Sequence, residues 1–248
     1  MSDILMVGAG WEPFTRWAIW RFLFDGLVLA LEMAAISMLL SMLVGVGMAV
    51  ARLARPRIIR WPAMVYVETF RAMPLLLLIF FVFFGSARTP LKIGPVTAVV
   101  IALTLYNSAV VAEIIRAGIL SISRGVIEAS RALGLSYLQS MTYVAIPIAL
   151  RRMAPGVVSQ LITLFKDTSL ASVLSILELS RSARVIYDTP TYGNPVEVLT
   201  VVAAMYFIPS YALSLLAQRL EAGPERRAIL AADTATATIA PAPASRPE

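Results

Sequence analysis

Residues 125–147 read GVIEASRALGLSYLQSMTYVAIP, and this stretch decides the fold because it is a long polar, amphipathic interval between strongly apolar segments. Gly134 falls where a first helix should end, because glycine accepts the left-handed conformation that closes a helix C-terminus. Ser136 followed by Gln139 is a capping-box pattern that predicts the start of a second helix, and Pro147 is expected to end that helix. The stretch therefore predicts a short helix held on the rim of a membrane bundle.

This stretch also resembles the EAA motif of the membrane subunits of ABC importers, E-A-A-x3-G-x9-I-x-L-P. The residues that match in type and spacing are Glu128, Ala129, Ser130, Gly134, Val144, Ile146 and Pro147. The alternative is that any surface helix-turn-helix between two spans has this pattern. In the family, the motif forms a coupling helix that docks in a groove of a separate ATPase. The resemblance therefore implies ATPase-coupling roles for Gly125, Glu128, Ala129, Ser130, Leu133, Gly134 and Pro147.

The composition indicates an integral membrane protein. Of the 248 residues, 59% are hydrophobic, and the mean hydropathy is +0.80, above the range of soluble domains. Cysteine and histidine are absent from the sequence, which excludes disulfides, thiolate nucleophiles, histidine bases and zinc sites, and we expect no metal site. The net charge of +6 comes largely from arginines at the ends of apolar segments, a pattern typical of membrane topology signals rather than of nucleic-acid binding.

Five apolar segments are long enough to cross about 30 Å of hydrocarbon. They are residues 26–51, 61–85, 96–119, 155–177 and 197–218. Arginines follow the first segment and occupy the interval between the third and fourth, so the positive-inside rule places both loops in the cytoplasm. We therefore expect a multi-pass protein with its N-terminus outside and its C-terminus in the cytoplasm. The small residues Ser37, Ser41, Gly45 and Gly47 predict a close-packing face on the first span.

The segments between and beyond the spans have separate interpretations. Residues 1–25 are expected to be periplasmic or interfacial, and the aromatic residues within 11–24 indicate either an interfacial helix or an extended start to the first span. Residues 1–11 contain neither a basic region nor a small-residue cleavage site, so we expect no removed signal peptide. Residues 120–152 form the coupling loop, and 178–195 read as a turn-rich external loop. Residues 222–248 are rich in Ala, Thr and Pro, which predicts a disordered cytoplasmic tail.

Several charged residues fall inside the predicted spans. Glu68 and Arg71 lie one helical turn apart and can pair, as can Glu113 and Arg116. Pro74 predicts a kink in the second span because it cannot donate the helical hydrogen bond. Lys166 and Asp167 are adjacent, so they point about 100° apart on a helix and each needs another partner. Such ions usually face a bundle interior or a wet cavity, since burying them in lipid is costly.

The runs ETFRAMP at 68–74 and KDTSL at 166–170 resemble the polar amino acid branch of type I ABC permeases, the histidine, glutamine and glutamate importer group. In the third span the family pattern G-A-Y-x-x-E-x-x-R is altered, and its tyrosine is moved to Tyr106. We hypothesise a substrate pathway that includes Asn107, Ser108, Glu113, Arg116, Lys166, Asp167, Thr168 and Ser169, with Glu68, Arg71 and Pro74 in the bundle or gate. The alternative is that these charges only hold the bundle together.

The resemblance, which covers residues 26–221, implies an all-α membrane protein with five transmembrane helices of the type I importer (MetI-like) fold. It implies a permease subunit in the bacterial cytoplasmic (inner) membrane that imports glutamate, aspartate or glutamine, with glutamate permeases the most similar. A second permease subunit, two copies of an ABC ATPase and an external amino acid binding protein are the implied partners. No phosphate-binding G-x4-G-K-[ST] loop is present, so ATP and Mg²⁺ are expected on the ATPase and no cofactor on this chain.

Two other function classes stay open from the sequence. An intramembrane hydrolase or transferase could use Ser169 with Lys166 or Asp167, although a serine beside a lysine arises easily in an apolar span. A passive channel would not need a coupling helix. Co-purification with an ATPase discriminates among the three.

Overall fold

The structure is a computed structural model that describes residues 9–88, 90, 92–189 and 195–221, and all of its regular elements in this part of the chain are helical. A short 3-10 segment, Ala9–Thr15, precedes the first α-helix. The α-helices are α1 (Trp17–Leu53), α2 (Arg57–Ala72), α3 (Leu75–Ser86), α4 (Pro95–Leu120), α5 (Arg124–Ala132), α6 (Tyr137–Ser140), α7 (Ile146–Asp167), α8 (Leu179–Tyr187) and α9 (Pro195–Glu221).

The centre of the bundle is a parallel pair formed by α1 and α4. Ser37 Oγ donates to the carbonyl of Val100, and Ser41 Oγ donates to the carbonyl of Thr104 at 3.3 Å. A Cβ at Gly45 would lie 2.8 Å from a methyl group of Val111, so only glycine allows the two backbones to approach this closely. The small-residue face is therefore confirmed at these three positions. Gly47 was wrongly included, because it is exposed with open space around it.

The helix α7 packs antiparallel to α4. Gln160 Nε2 donates to Asn107 Oδ1 at 2.6 Å, whereas Gly118, farther along α4, lies beside the earlier α7 residue Met153. The two helices thus define opposite ends of the bundle. We call one the Arg52 end, where α1 and α4 finish, and the other the Glu178 end, where α7 finishes and α8 begins.

The predicted second span, 61–85, is not one helix. It consists of α2 and α3, which meet at Pro74 with a bend of 107°. A break at Pro74 is confirmed, and it is sharper than the expected kink because Met73 and Pro74 both adopt extended backbone. Within the described residues, four helical segments are long and apolar enough to cross a membrane, or five if this bent pair forms one span.

The other predicted spans agree with the structure to different degrees. The third and fifth, 96–119 and 197–218, match α4 and α9 to within a few residues. The first span begins earlier than the expected residue 26, because α1 starts at Trp17; the aromatic residues 17–24 are therefore an extended start to the span rather than a separate helix. The tail 222–248 lies outside the described residues.

The fourth span is longer than residues 155–177, and Pro147 does not end a helix. One helical run extends from Tyr137 to Leu174. A π-helical turn, Met141–Ala145, immediately precedes α7, and Pro147 is the second residue of α7. The altered hydrogen-bond register of the π-helical turn accommodates the missing N–H of Pro147 inside the continuous run. The run finishes as a 3-10 segment, Thr168–Leu174.

The predicted external loop 178–195 contains a helix. Glu178 caps α8 by accepting hydrogen bonds from the backbone N–H groups of Ser180 and Arg181, at 2.9 and 2.8 Å. The loop prediction was wrong for α8 because Arg184 and Asp188 lie on the exposed face of an amphipathic helix whose opposite face, with Leu179, Ala183 and Ile186, is buried. The turn residues 190–194 lie outside the described residues.

Candidate functional site

The helix α5 ends with the geometry that the sequence predicts. Gly134 has a φ of +89°, its N–H donates to the carbonyl of Arg131, and the N–H of Leu135 donates to the carbonyl of Ser130. This pair of bonds is a Schellman motif, which satisfies carbonyls that the end of a helix otherwise leaves free. Ser136 and Gln139 then form both bonds of the predicted capping box. Local backbone chemistry therefore fixes the turn between the two helices.

Most of the predicted coupling residues are displayed on the surface of this segment. Gly125, Glu128, Ala129, Gly134 and Pro147 are exposed, and the Leu133 side chain is 85% exposed. Ser130 is the exception: it is buried, and its hydroxyl donates to the carbonyl of Ile127 at 2.8 Å. A small side chain at this position lets α5 lie against the rest of the bundle. Gly125, Ala129 and Leu133 are spaced four residues apart and therefore share one exposed side of α5, beside Glu128, that another protein can contact.

At the Arg52 end, a chain of charges joins three helices. Arg52 on α1 donates to Glu113 Oε2 on α4 at 2.8 Å and to Glu68 Oε1 on α2 at 3.2 Å. Glu113 also pairs with Arg116, as predicted from their spacing. The prediction that Glu68 pairs with Arg71 was wrong, because Glu68 pairs with Arg52 instead. The Arg52 side chain is 13% exposed, and that of Glu68 is 59% exposed. The network holds the ends of α1, α2 and α4 together.

Halfway along α4, the polar residues are buried and hydrogen-bonded to other helices. Asn107 is fully buried, donates to the carbonyl of Leu103 and accepts from Gln160. Ser108 is also fully buried, and its hydroxyl lies 2.7 Å from the Tyr66 hydroxyl. These side chains therefore connect α4 to α7 and to α2, and their hydrogen-bonding groups are engaged within the chain.

At the end of α7, the unaltered KDTSL run divides into buried and accessible residues. Lys166 is exposed, and Asp167 and Ser169 are half-buried. Neither Lys166 nor Asp167 forms an ion pair with another described residue, so the partner that each charge requires is not supplied by this part of the chain. Thr168 is buried, and its hydroxyl donates to the carbonyl of Phe165 at 2.6 Å.

The predicted pathway residues are not gathered at one level. The Asn107–Gln160 contact gives α4 and α7 a common reference, and both Glu113 and Lys166 lie six residues beyond it. Because the helices are antiparallel and rise about 1.5 Å per residue, Glu113 and Lys166 are separated by about 18 Å along the bundle axis. The eight residues therefore form three separate groups, of which the KDTSL group is the one whose charges have no ion-pair partner among the described residues.

Three functional-looking residues were missed in the sequence. Arg52 was interpreted only as a topology signal, and Gln160 was not singled out. Glu178 is fully buried, caps α8 and accepts from the Tyr206 hydroxyl of α9 at 2.8 Å. Burial raises the pKa of the Glu178 carboxyl, and the hydrogen bonds that it accepts oppose this rise. An acidic residue just before an amphipathic stretch is a helix N-terminal signal that could have revealed it.

The described residues contain no group of three or more acidic side chains placed to hold a metal ion. The chemistry available at the KDTSL group is therefore that of one ammonium, one carboxylate and a hydroxyl. These groups can pair with the carboxylate and ammonium of a zwitterionic solute.

Comparison with known proteins identifies the family to which the chain is similar. The profile of the family described as "Binding-protein-dependent transport system inner membrane component" matches residues 41–223. A probable glutamine ABC transporter permease protein of Bacillus subtilis is 44% identical over 81% of this chain and 92% of its own length. A glutamate transport system permease protein of Corynebacterium glutamicum is 34% identical over 89% of this chain and 83% of its own length. An Escherichia coli glutamate/aspartate import permease protein is 35% identical over 81% of this chain and 92% of its own length.

Two solved structures share the architecture. A crystal structure of an amino acid ABC transporter with histidines matches with a TM-score of 0.75 and 31% identity, over 81% of this chain and 93% of that chain. An inward-facing structure of the MetNI methionine ABC transporter matches with a TM-score of 0.61 and 23% identity, over 84% of this chain and 96% of that chain. The second likeness shows the fold alone, which is the type I importer fold predicted from the EAA stretch.

Proposed function

Because the chain belongs to the family of binding-protein-dependent transport system inner membrane components, we propose that it moves glutamine or an acidic amino acid across the cytoplasmic membrane as a permease subunit of an ATP-driven importer. The observation that supports this choice of solute is the 44% identity to a probable glutamine permease over 81% of the chain. The relatives are named as transport permeases, so neither the intramembrane enzyme nor the passive channel is favoured.

The helix α5 is the lever through which the partner ATPase acts. Its exposed residues Glu128, Ala129 and Leu133 offer a docking face, and its C-terminal turn is stiffened by the Schellman motif and the capping box. A stiff turn transmits a displacement of α5 to α7 because the helical run continues from Tyr137 into the membrane. ATP and Mg²⁺ bind to the ATPase in this proposal and not to this chain.

The accessible KDTSL group receives the solute, whereas the Glu113 network braces the bundle. Lys166 and Asp167 have no ion-pair partner among the described residues, and an amino acid supplies a carboxylate for one and an ammonium for the other. Glu113 and Arg116 are already paired with each other and with Arg52. Thr168 is buried within the KDTSL group and its hydroxyl is engaged inside the chain, whereas Asn107 and Ser108 form the separate group halfway along α4 that ties this helix to α7 and α2.

The remaining parts of the proposal concern topology and assembly. The Arg52 end lies in the cytoplasm with the C-terminus, and the N-terminus lies outside, because arginines concentrate at the Arg52 end. Two such permease subunits, identical or homologous, surround one pathway above two ATPase copies. An external binding protein delivers the amino acid at the Glu178 end.

Purifying the importer through a tag on this chain tests the solute and the coupling together. The complex should contain an ATPase, and proteoliposomes should accumulate labelled glutamine or glutamate only with ATP and the external binding protein. Histidine uptake gives the comparison for a basic amino acid. Uptake by the chain alone, with no ATPase present, would contradict the proposal.

Two pairs of variants separate coupling from the solute pathway. Glu128→Lys should release the ATPase and abolish uptake, whereas Glu12→Lys, at an exposed position on the first 3-10 segment, serves as its charge-matched control. Lys166→Met and Asp167→Asn should keep the ATPase bound but reduce uptake and change solute preference. Unchanged rate and preference in both α7 variants would exclude them from the pathway.

A further inference from the structure

A cleft of about 550 Å³ lies beneath α5 at the Arg52 end, and its lining combines positive charge with apolar side chains. Three arginines from separate segments reach it: Arg55 follows α1, Arg124 begins α5 and Arg131 ends α5. Among the described residues, Glu128 is the one acidic member of the lining. None of these arginines forms an ion pair with another described residue, so the cleft keeps a net positive charge.

The apolar part of the lining comes from residues at the edge of the membrane domain. Ile119 lies in the last turn of α4, Ile122 follows that helix, and Met141 begins the π-helical turn before α7. The cleft therefore has guanidinium groups beside an aliphatic surface. A ligand that matches this lining carries an anionic group joined to hydrocarbon.

The position of the cleft identifies the source of such a ligand. It opens where α1 and α4 finish, at Leu53 and Leu120, which is the level at which membrane-spanning helices reach the lipid headgroups. On the neighbouring helix α2, Trp61 is 64% exposed and shares a surface depression with Arg57 and Arg60. Exposed tryptophan beside arginine is typical of the membrane–water boundary.

We propose that this cleft binds the phosphate headgroup of an anionic phospholipid, with the acyl chains directed over the apolar edge of α4. Basic pockets between membrane helices bind anionic headgroups for the same electrostatic reason. A lipid in this position contacts both α5 and the end of α4. The occupancy of the cleft therefore changes how firmly the coupling helix is held against the bundle.

Lipid binding to the purified full-length chain, measured by native mass spectrometry with phosphatidylglycerol and with phosphatidylcholine, tests the proposal. The cleft variant is Arg55→Gln/Arg124→Gln/Arg131→Gln. The control is Arg21→Gln/Arg151→Gln/Arg219→Gln, which removes the same number of exposed arginines from residues outside both the cleft lining and the depression beside Trp61. The cleft variant should bind phosphatidylglycerol roughly a hundredfold more weakly, because each basic group at an anionic surface contributes a factor of about five. The control should keep most of the affinity.

A second variant protects the test against misfolding. Glu128→Gln removes the acidic side chain described in the lining and should strengthen phosphatidylglycerol binding by about fivefold, a gain that an unfolded chain cannot give. Equal loss in the cleft and control variants, or equal binding of phosphatidylcholine and phosphatidylglycerol, overturns the proposal.

Two further arms distinguish the sources of the anion. Glycerol 3-phosphate and inorganic phosphate should displace the lipid only at far higher concentration. Displacement at a concentration equal to that of the lipid would assign the cleft to a soluble phosphate and would overturn the proposal that it binds a phospholipid. If both triple variants bind lipid alike while the cleft variant alone loses a co-purified ATPase, the cleft belongs to a protein interface and the proposal fails.

Discussion

Glu113 and Glu178 lie at opposite ends of the bundle and are held by different chemistry. Glu113 is held by the guanidinium groups of Arg52 and Arg116 and keeps 23% of its side chain exposed. Glu178 is fully buried and accepts hydrogen bonds from two backbone N–H groups and from Tyr206. Ionic bonds thus join the ends of α1, α2 and α4, whereas neutral donors join α8 to α9.

The difference teaches how one residue type performs two structural tasks. A carboxylate near water can be balanced by arginines at moderate cost, because the ions remain partly hydrated. A carboxylate away from water is tolerated only when preorganised donors surround it. The comparison also explains why Lys166 stands out, since it has neither an ionic partner nor enclosure within the described residues.

The largest expected effect comes from breaking the ionic end. Glu113→Gln leaves Arg52 and Arg116 without their shared partner and should lower the free energy of unfolding by about 3 kcal/mol. Unfolding of the purified chain in mixed detergent micelles measures this loss. Glu68→Gln is the matched control, because Glu68 is 59% exposed and should contribute less than about 1 kcal/mol. Equal losses in the two variants would show that the network does not centre on Glu113.

The neutral end should give the next largest effect. Glu178→Gln places an amide N–H₂ group against at least one of the donors that Glu178 now satisfies, and should cost about 2 kcal/mol. Tyr206→Phe removes a single donor and should cost about half as much. Both losses are read from the same unfolding measurement. A Glu178→Gln variant as stable as the parent would mean that the cap does not need the carboxylate.

The two ends should also differ in their response to pH. Because burial raises the pKa of Glu178, the folded chain retains a proton that the unfolded chain has already released, and stability should fall as pH rises through that interval. Melting temperatures from about pH 4 to pH 8 measure the slope. Glu178→Gln should remove this component. Its persistence in the variant would assign the slope to another group.

The smallest effect on stability is expected at Lys166. Lys166→Met removes an exposed charge without a described ion-pair partner, so the free energy of unfolding should change by less than about 0.5 kcal/mol. Uptake should nevertheless fall strongly, which separates a functional charge from the structural charges at Glu113. Arg181→Met, an exchange of similar size in α8, provides a comparison. A loss of stability equal to that of Glu113→Gln would make Lys166 part of the scaffold.

Local rules explain why the coupling segment was predicted so closely. The left-handed Gly134 and the capping box each depend on residues a few positions apart, which the sequence displays directly. The same reason explains why the Glu113–Arg116 pair on α4 was predicted correctly. Pro147 was misinterpreted because the π-helical turn that accommodates it has no comparable sequence signal. The helix α8 was missed because its charges obscured an apolar face that only packing reveals.

The sequence by itself determined the membrane class, the apolar segments, the coupling turn and the family, because hydropathy, capping and motif spacing are properties of neighbouring residues. The tertiary structure alone decided which charges meet. Arg52 reaches Glu113 across 61 positions, and the antiparallel packing of α4 and α7 places Lys166 far from Glu113. Such contacts depend on how helices pack rather than on distance along the chain, and for that reason the pathway residues separated into three groups.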